Sequence, residues 1–143
     1  MNINTHDKEE LATIAVDCGY RLHLALGPGL FESVYEAVLE KILMEQGLRV
    51  RRQVPIAFEV FGLKFDEGFR ADLIIEDLLL LELKSVESLA PVHSKQTLTY
   101  LRLLNLPLGL LMNFGAPFFK NGVKRIVNGV QSFASSPLRV NKL

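Results

Sequence analysis

The sequence predicts a single α/β domain built on a mixed sheet. Two N-terminal segments and a third after Pro91 repeat apolar residues at helical spacing. Short apolar runs bounded by turn residues read as strands over 49–61, 70–84 and 108–114. The helix between the last two runs makes a crossover, which places its flanking strands parallel. The 143 residues suffice for one core. A composition of 49% hydrophobic and 22% charged residues excludes a disordered chain.

Sixteen basic and sixteen acidic residues cancel. A nucleic-acid contact would therefore need a local patch, since the whole molecule has no net field. Cys18 is the sole cysteine, which excludes an intrachain disulfide or a cysteine zinc site. It also suits a reducing, cytoplasmic compartment. The N-terminus is polar, and the run from Leu78 to Leu81 is far too short to span a bilayer. No membrane partner is expected. The ordered core is expected over about 7–128, with 129–143 as a tail.

The first helix is predicted over 8–26. Asp7 and Glu10 form a capping box, and Leu11, Ala15, Cys18 and Leu22 mark the buried stripe. Cys18 reads as a small buried hydrophobe and His23 as a surface or boundary residue. Gly27-Pro28-Gly29 ends the helix. A second helix follows from Phe31 to Gln46, with Phe31, Val34, Tyr35, Val38, Leu39 and Ile42 inward. Glu36, Glu40, Lys41 and Glu45 read as its solvated face. Glu32 edges onto the buried side at the helix N-terminus, where it complements the dipole or serves a site. Along the first strand, Val50, Val54, Ile56, Phe58 and Val60 share a parity, and Pro55 marks an edge or bulge. Arg49, Arg51 and Arg52 form the densest basic patch, either a solvated face or a phosphate contact. Phe61-Gly62-Leu63 turns the chain, and in Asp66-Glu67-Gly68, which precedes the central hairpin, Asp66 and Glu67 read as turn residues. Beyond the central hairpin, 85–90 is a loop and Pro91 opens a helix to Leu104. Gln96 and Tyr100 share one face of it. Leu108 to Phe114 is a buried strand, Phe118 and Phe119 are expected in the core, and a last strand covers 123–127 beside Lys120, Lys124 and Arg125.

The chemistry concentrates in Arg70 to Ser85, two strands pivoting near Asp77. Arg70, Asp72 and Ile74 point one way, and Leu80, Glu82 and Lys84 share a face. The pivot sets Asp72 opposite Glu82, with Cβ atoms about 4.5–5.5 Å apart. Two buried carboxylates at that distance repel. Either a divalent cation binds both, or Asp72–Lys84 and Arg70–Glu82 pairs neutralise the face as an ion-pair ladder.

This order of elements, with Asp72 on one strand and Glu82-Leu83-Lys84 on the next, resembles the PD-(D/E)xK, or restriction-endonuclease-like, superfamily. Gly29-Leu30-Phe31-Glu32-Ser33-Val34-Tyr35 is a literal Gly-x-x-Glu-x-x-Tyr, the pattern that names the bacterial GxxExxY family. Asp66 to Leu73, Pro91-Val92-His93 and Asn113-Phe114 also look like that family. Ala71 stands where the superfamily motif carries a proline.

The resemblance implies a restriction-endonuclease-like core, with a central mixed sheet of four to five strands flanked by helices. It implies a metal-dependent nuclease using Mg²⁺ or Mn²⁺, with DNA the favoured substrate. Asp72, Glu82 and Glu32 match the metal ligands and Lys84 the catalytic lysine. Gln96 and Tyr100 resemble the Gln-x-x-x-Tyr element of RecB-like members. Arg70 would join Arg49, Arg51 and Arg52 in contacting phosphates, and a homodimer would widen the grip on a duplex. The alternative is a catalytically silent nucleic-acid-binding or assembly module.

Overall fold

A computed structural model describes residues 6–129 and 138–140. Helix α1 (Lys8–Leu26) is capped by the Asp7 carboxylate, which accepts the Glu10 N–H at 2.8 Å. Helix α2 (Glu32–Glu45) follows, then strands β1 (Val50–Val60), β2 (Leu63–Ile75) and β3 (Leu79–Lys84). Helix α3 (Pro91–Leu104) leads to β4 (Leu108–Asn113), a 3-10 turn (Phe119–Gly122), β5 (Val123–Val127) and β6 (Leu138–Val140). The sheet order is β5-β4-β3-β2-β1-β6. Only β3 and β4 run parallel, joined across α3 as the crossover requires. The expected sheet is present and carries one more short strand. That strand, β6, pairs with Phe58–Val60 from within the expected tail. Residues 130–137 and 141–143 of that tail lie outside the described residues.

Two cores flank the sheet. Leu73, Ile75, Leu79, Leu81 and Leu83 face α1 and α2 with Leu108, Leu110 and Met112. Ile74 and Leu80 face α3 with Val54, Ile56, Ala71 and Leu101. Val50 packs with the first core, so its parity with Val54 and Ile56 does not place all three on one face. The β1–β2 ribbon turns over between Val50 and Val54, where Gln53 adopts a left-handed φ of 50°. On β2 the same reversal separates Leu73 from Ala71. Two-stranded ribbons twist more than sheet interiors, and here β3 pairs only with Leu73–Ile75.

Asp66-Glu67-Gly68, expected as a turn, lies inside β2. The chain turns at Phe61-Gly62 as expected, both at positive φ as a tight hairpin demands. Gly68 is required by packing, because a Cβ there would sit 1.9 Å from the Phe58 ring. On α2, Tyr35, Glu36, Leu39 and Leu43 are buried. Phe31 is 83% exposed and Val34 38%, which corrects the N-terminal end of the expected stripe. His23 is buried, its Nε2–H donating to the Ala116 carbonyl at 2.8 Å. Phe119 is in the core as expected, while Phe118 is exposed. Among the described residues no helix is long and apolar enough to cross a membrane.

Candidate functional site

Beyond the Leu73–Leu81 pair, β2 leaves β3 and follows β1. Asp72 and Glu82 occupy the mouth of this divergence. The Asp72 N–H donates to Glu82 Oε1 at 3.2 Å, and the Leu83 N–H donates to Asp72 Oδ2 at 2.8 Å. The two acids are thus stitched across the strands by main-chain donors. Glu82 is 5% exposed and Asp72 partly buried. Burial, and after it the neighbouring Asp72 charge, push the Glu82 carboxyl up to about 9. Burial likewise raises the Asp72 carboxyl against the Leu83 hydrogen bond, with Glu36 and Glu32 adding repulsion. Among the described residues no ion pair includes Asp72, Glu82 or Lys84. Arg70 pairs instead with Glu67, so the ladder is not formed.

Lys84 ends β3 on the Glu82 face, and its charge favours ionisation of both acids. Its surroundings are fixed by Asn113, which is 1% exposed. The Asn113 side chain accepts the Val86 and Gly115 N–H groups at 3.0 Å and donates to the Val86 carbonyl at 2.9 Å. This network pins the chain leaving the lysine. Tyr100 stacks on Phe69 with ring centroids 4.1 Å apart. Burial raises its phenol, and so do the charges of Glu82 and Asp72, which places it beside the acid pair. Gln96 is exposed one turn earlier on α3.

The Gly-x-x-Glu-x-x-Tyr segment anchors α2 to the site. The buried Tyr35 hydroxyl donates to the Gly27 carbonyl at 2.6 Å and accepts the Leu30 N–H at 3.2 Å. Its ring stacks on Phe114 at 4.6 Å. The Ser85 hydroxyl donates to the Leu30 carbonyl at 2.6 Å, tying this loop to the residue after Lys84. Glu32, expected on the buried side, is exposed in the first turn of α2 and reaches Asp72 only through its field.

Two residues here escaped the sequence reading. Glu36, expected on a solvated face, is 4% exposed. It accepts Arg52 Nε–H at 2.7 Å and Gln53 Nε2–H at 2.9–3.0 Å. The same Gln53 nitrogen donates to Asp72 Oδ1 at 3.3 Å. The i, i+4 spacing of Glu32 and Glu36 was the available signal, since both then overlook one place. The other arginines of the basic patch are also engaged. Arg49 pairs with Glu76 at 2.8 Å and Arg51 with Asp77 at 2.7 Å.

The donor set fits a hard divalent cation: two carboxylates converge, burial opposes their charges, and no cationic side chain pairs with either among the described residues. No group of three or more Asp, Glu, His and Cys among those residues is arranged to hold a metal. A cation held there by Asp72 and Glu82 would need its other ligands from elsewhere.

Fold and acid pair together define a restriction-endonuclease-like α/β domain. A family model described as the PD-(D/E)XK nuclease superfamily matches residues 9–126, and the chain belongs to that superfamily. No curated protein and no solved structure matches it.

Proposed function

We propose that this protein is a metal-dependent nuclease that hydrolyses phosphodiester bonds of nucleic acid, with DNA as the favoured substrate. The observation that carries the reading is the buried, uncompensated Asp72–Glu82 pair at the point where β2 leaves β3. Asp72 and Glu82 would hold Mg²⁺ or Mn²⁺, with the open Glu32 as a third acid. All three offer hard oxygens. When bound, such a cation supplies polarisation of a phosphoryl oxygen and a lowered pKa for water. Lys84 orients the attacking water and offsets the negative charge that develops on the phosphate. Tyr100, its phenol held protonated, offers a hydrogen bond or a stacking face to the substrate. Gln96, exposed on the same helix, positions substrate or water.

Arg49, Arg51, Arg52 and Arg70 would contact phosphate only by exchanging carboxylate partners. A homodimer would add a second surface for a duplex. The buried thiol of Cys18 suits a reducing compartment such as the cytoplasm. The Gly29–Tyr35 motif supports placement in the GxxExxY branch of the superfamily.

The test is hydrolysis of DNA and RNA with Mg²⁺ or Mn²⁺. EDTA should stop it, and Asp72→Ala and Lys84→Ala should each reduce it by on the order of a thousandfold, the several kcal/mol a cation site supplies. Cleavage persisting in EDTA and in both variants would sink the reading. A second reading draws on the missing third ligand among the described residues. In it the domain binds nucleic acid without turnover, giving gel shifts but no cleavage with any divalent metal.

A further inference from the structure

Gln53 breaks two rules of its surroundings. It is a non-glycine residue at φ 50° within a strand. Its side chain and that of Arg52 also reach the same Glu36 carboxylate. Successive strand residues normally project to opposite faces. The left-handed turn at Gln53 is what lets both converge. A strained backbone maintained inside a ladder points to a requirement for the side chain it aims.

What it aims at is Asp72, one member of the acid pair, together with Glu36. Gln53 Nε2 meets only carboxylate oxygens: both of Glu36 and Oδ1 of Asp72. An amide facing three such acceptors must present its NH₂ group, so its orientation follows from chemistry. Glu36 is buried and already partnered by Arg52, so it fixes the amide. Asp72 is then held at both oxygens, Oδ1 by Gln53 and Oδ2 by the Leu83 N–H. Each carboxylate oxygen can accept twice. One acceptor site on each stays free, in an orientation fixed before any ligand arrives.

We infer that Gln53 is a positioning residue for the Asp72 carboxylate, held by Glu36 and Arg52, and that it preorganises that carboxylate for a divalent cation. This rests on the metal-site reading above. Partners that orient metal ligands change affinity without touching the ion. Gln53 and Glu36 would do so from the α2 side, while Leu83 does so from β3.

The experiment is Mn²⁺ titration calorimetry on the full chain, comparing wild type, Gln53→Gly and Gln53→Ala, with thermal melts of each. Gln53→Gly keeps the left-handed backbone accessible while removing the side chain that carries the amide. It should melt within a few degrees of wild type yet bind Mn²⁺ about tenfold to a hundredfold more weakly. Gln53→Ala should lose the same affinity and also melt lower. Wild-type affinity in a folded Gln53→Gly would overturn the positioning role while leaving the metal site intact. No Mn²⁺ heat from wild type itself would overturn the metal site and this inference with it.

Discussion

Charge is handled in opposite ways at two neighbouring places in the same sheet. At the start of β1 and just before it, each arginine has an acid from a neighbouring segment: Arg49 with Glu76, Arg51 with Asp77, and Arg52 with Glu36. At the mouth between β2 and β3, Asp72 and Glu82 face each other, and among the described residues their hydrogen-bond donors are two main-chain N–H groups and one amide. The first arrangement stabilises a fold. The second costs stability, because burial disfavours both anions and each disfavours the other. The contrast teaches where to look for function, since a site kept at a cost needs something from outside the chain to offset it.

Arg52 and Glu36 offer the largest way to break this contrast. Removing one partner of a buried pair costs about 3–5 kcal/mol, because the other charge is left desolvated. The Arg52 side chain is 33% exposed and that of Glu36 5%, so a figure at or below the low end, about 2–3 kcal/mol, is expected for Arg52→Ala. Urea unfolding at neutral pH measures it. A loss below about 1 kcal/mol would place this pair with ordinary surface pairs.

How much of this was legible in the sequence depended on the range of the interaction. The ends of α1 and α3 followed from Asp7, Gly27 and Pro91, which act locally. The pairing of Asp72 with Glu82 followed from a short hairpin whose pivot fixes register. Burial of Glu36 did not follow, because its partners lie 16 and 17 residues away on a strand that turns over beside them. Alternation assumes an untwisted ribbon, so the reversal at Gln53 also misplaced Val50 relative to Val54. Asp66-Glu67-Gly68 has turn composition, and within β2 it is the irregular stretch where the register with β1 shifts between Ile56 and Phe58, so it breaks the pairing without reversing the chain. Strand β6 has three residues, too few for any periodic signal.

The acid pair sharpens the contrast through pH. The Glu82 carboxyl is raised from 4.5 to about 9 in the folded chain. Between those values the folded state holds more protons than the unfolded one. Its stabilising contribution is therefore complete below about 4.5 and is lost as pH rises toward 9. One extra bound proton gives a slope of at most about 1.4 kcal/mol per pH unit. Metal-free wild type should lose stability from pH 5 to 8, while Glu82→Gln should show a flatter profile. Saturating Mn²⁺ should flatten the wild-type profile as well, since the cation displaces the proton. Parallel profiles for wild type and Glu82→Gln would show that Glu82 is ionised throughout.

The smallest expected effect belongs to Arg51, and it bears on both halves of the comparison. Its pair with Asp77 is exposed on both sides, 44% and 63% by side chain. Such pairs contribute about 0.2–1 kcal/mol and are screened by salt. Arg51→Ala should therefore change unfolding stability by no more than about 0.5 kcal/mol, and by less in 0.5 M salt. Any role for Arg51 in gripping phosphate would appear elsewhere, as a weaker affinity for DNA and a shallower salt dependence by about one counterion. Unchanged stability with unchanged DNA affinity would remove Arg51 from the interface. Unchanged stability with a reduced salt slope would show that its acid partner yields to phosphate, so that even the paired region of this sheet serves the substrate.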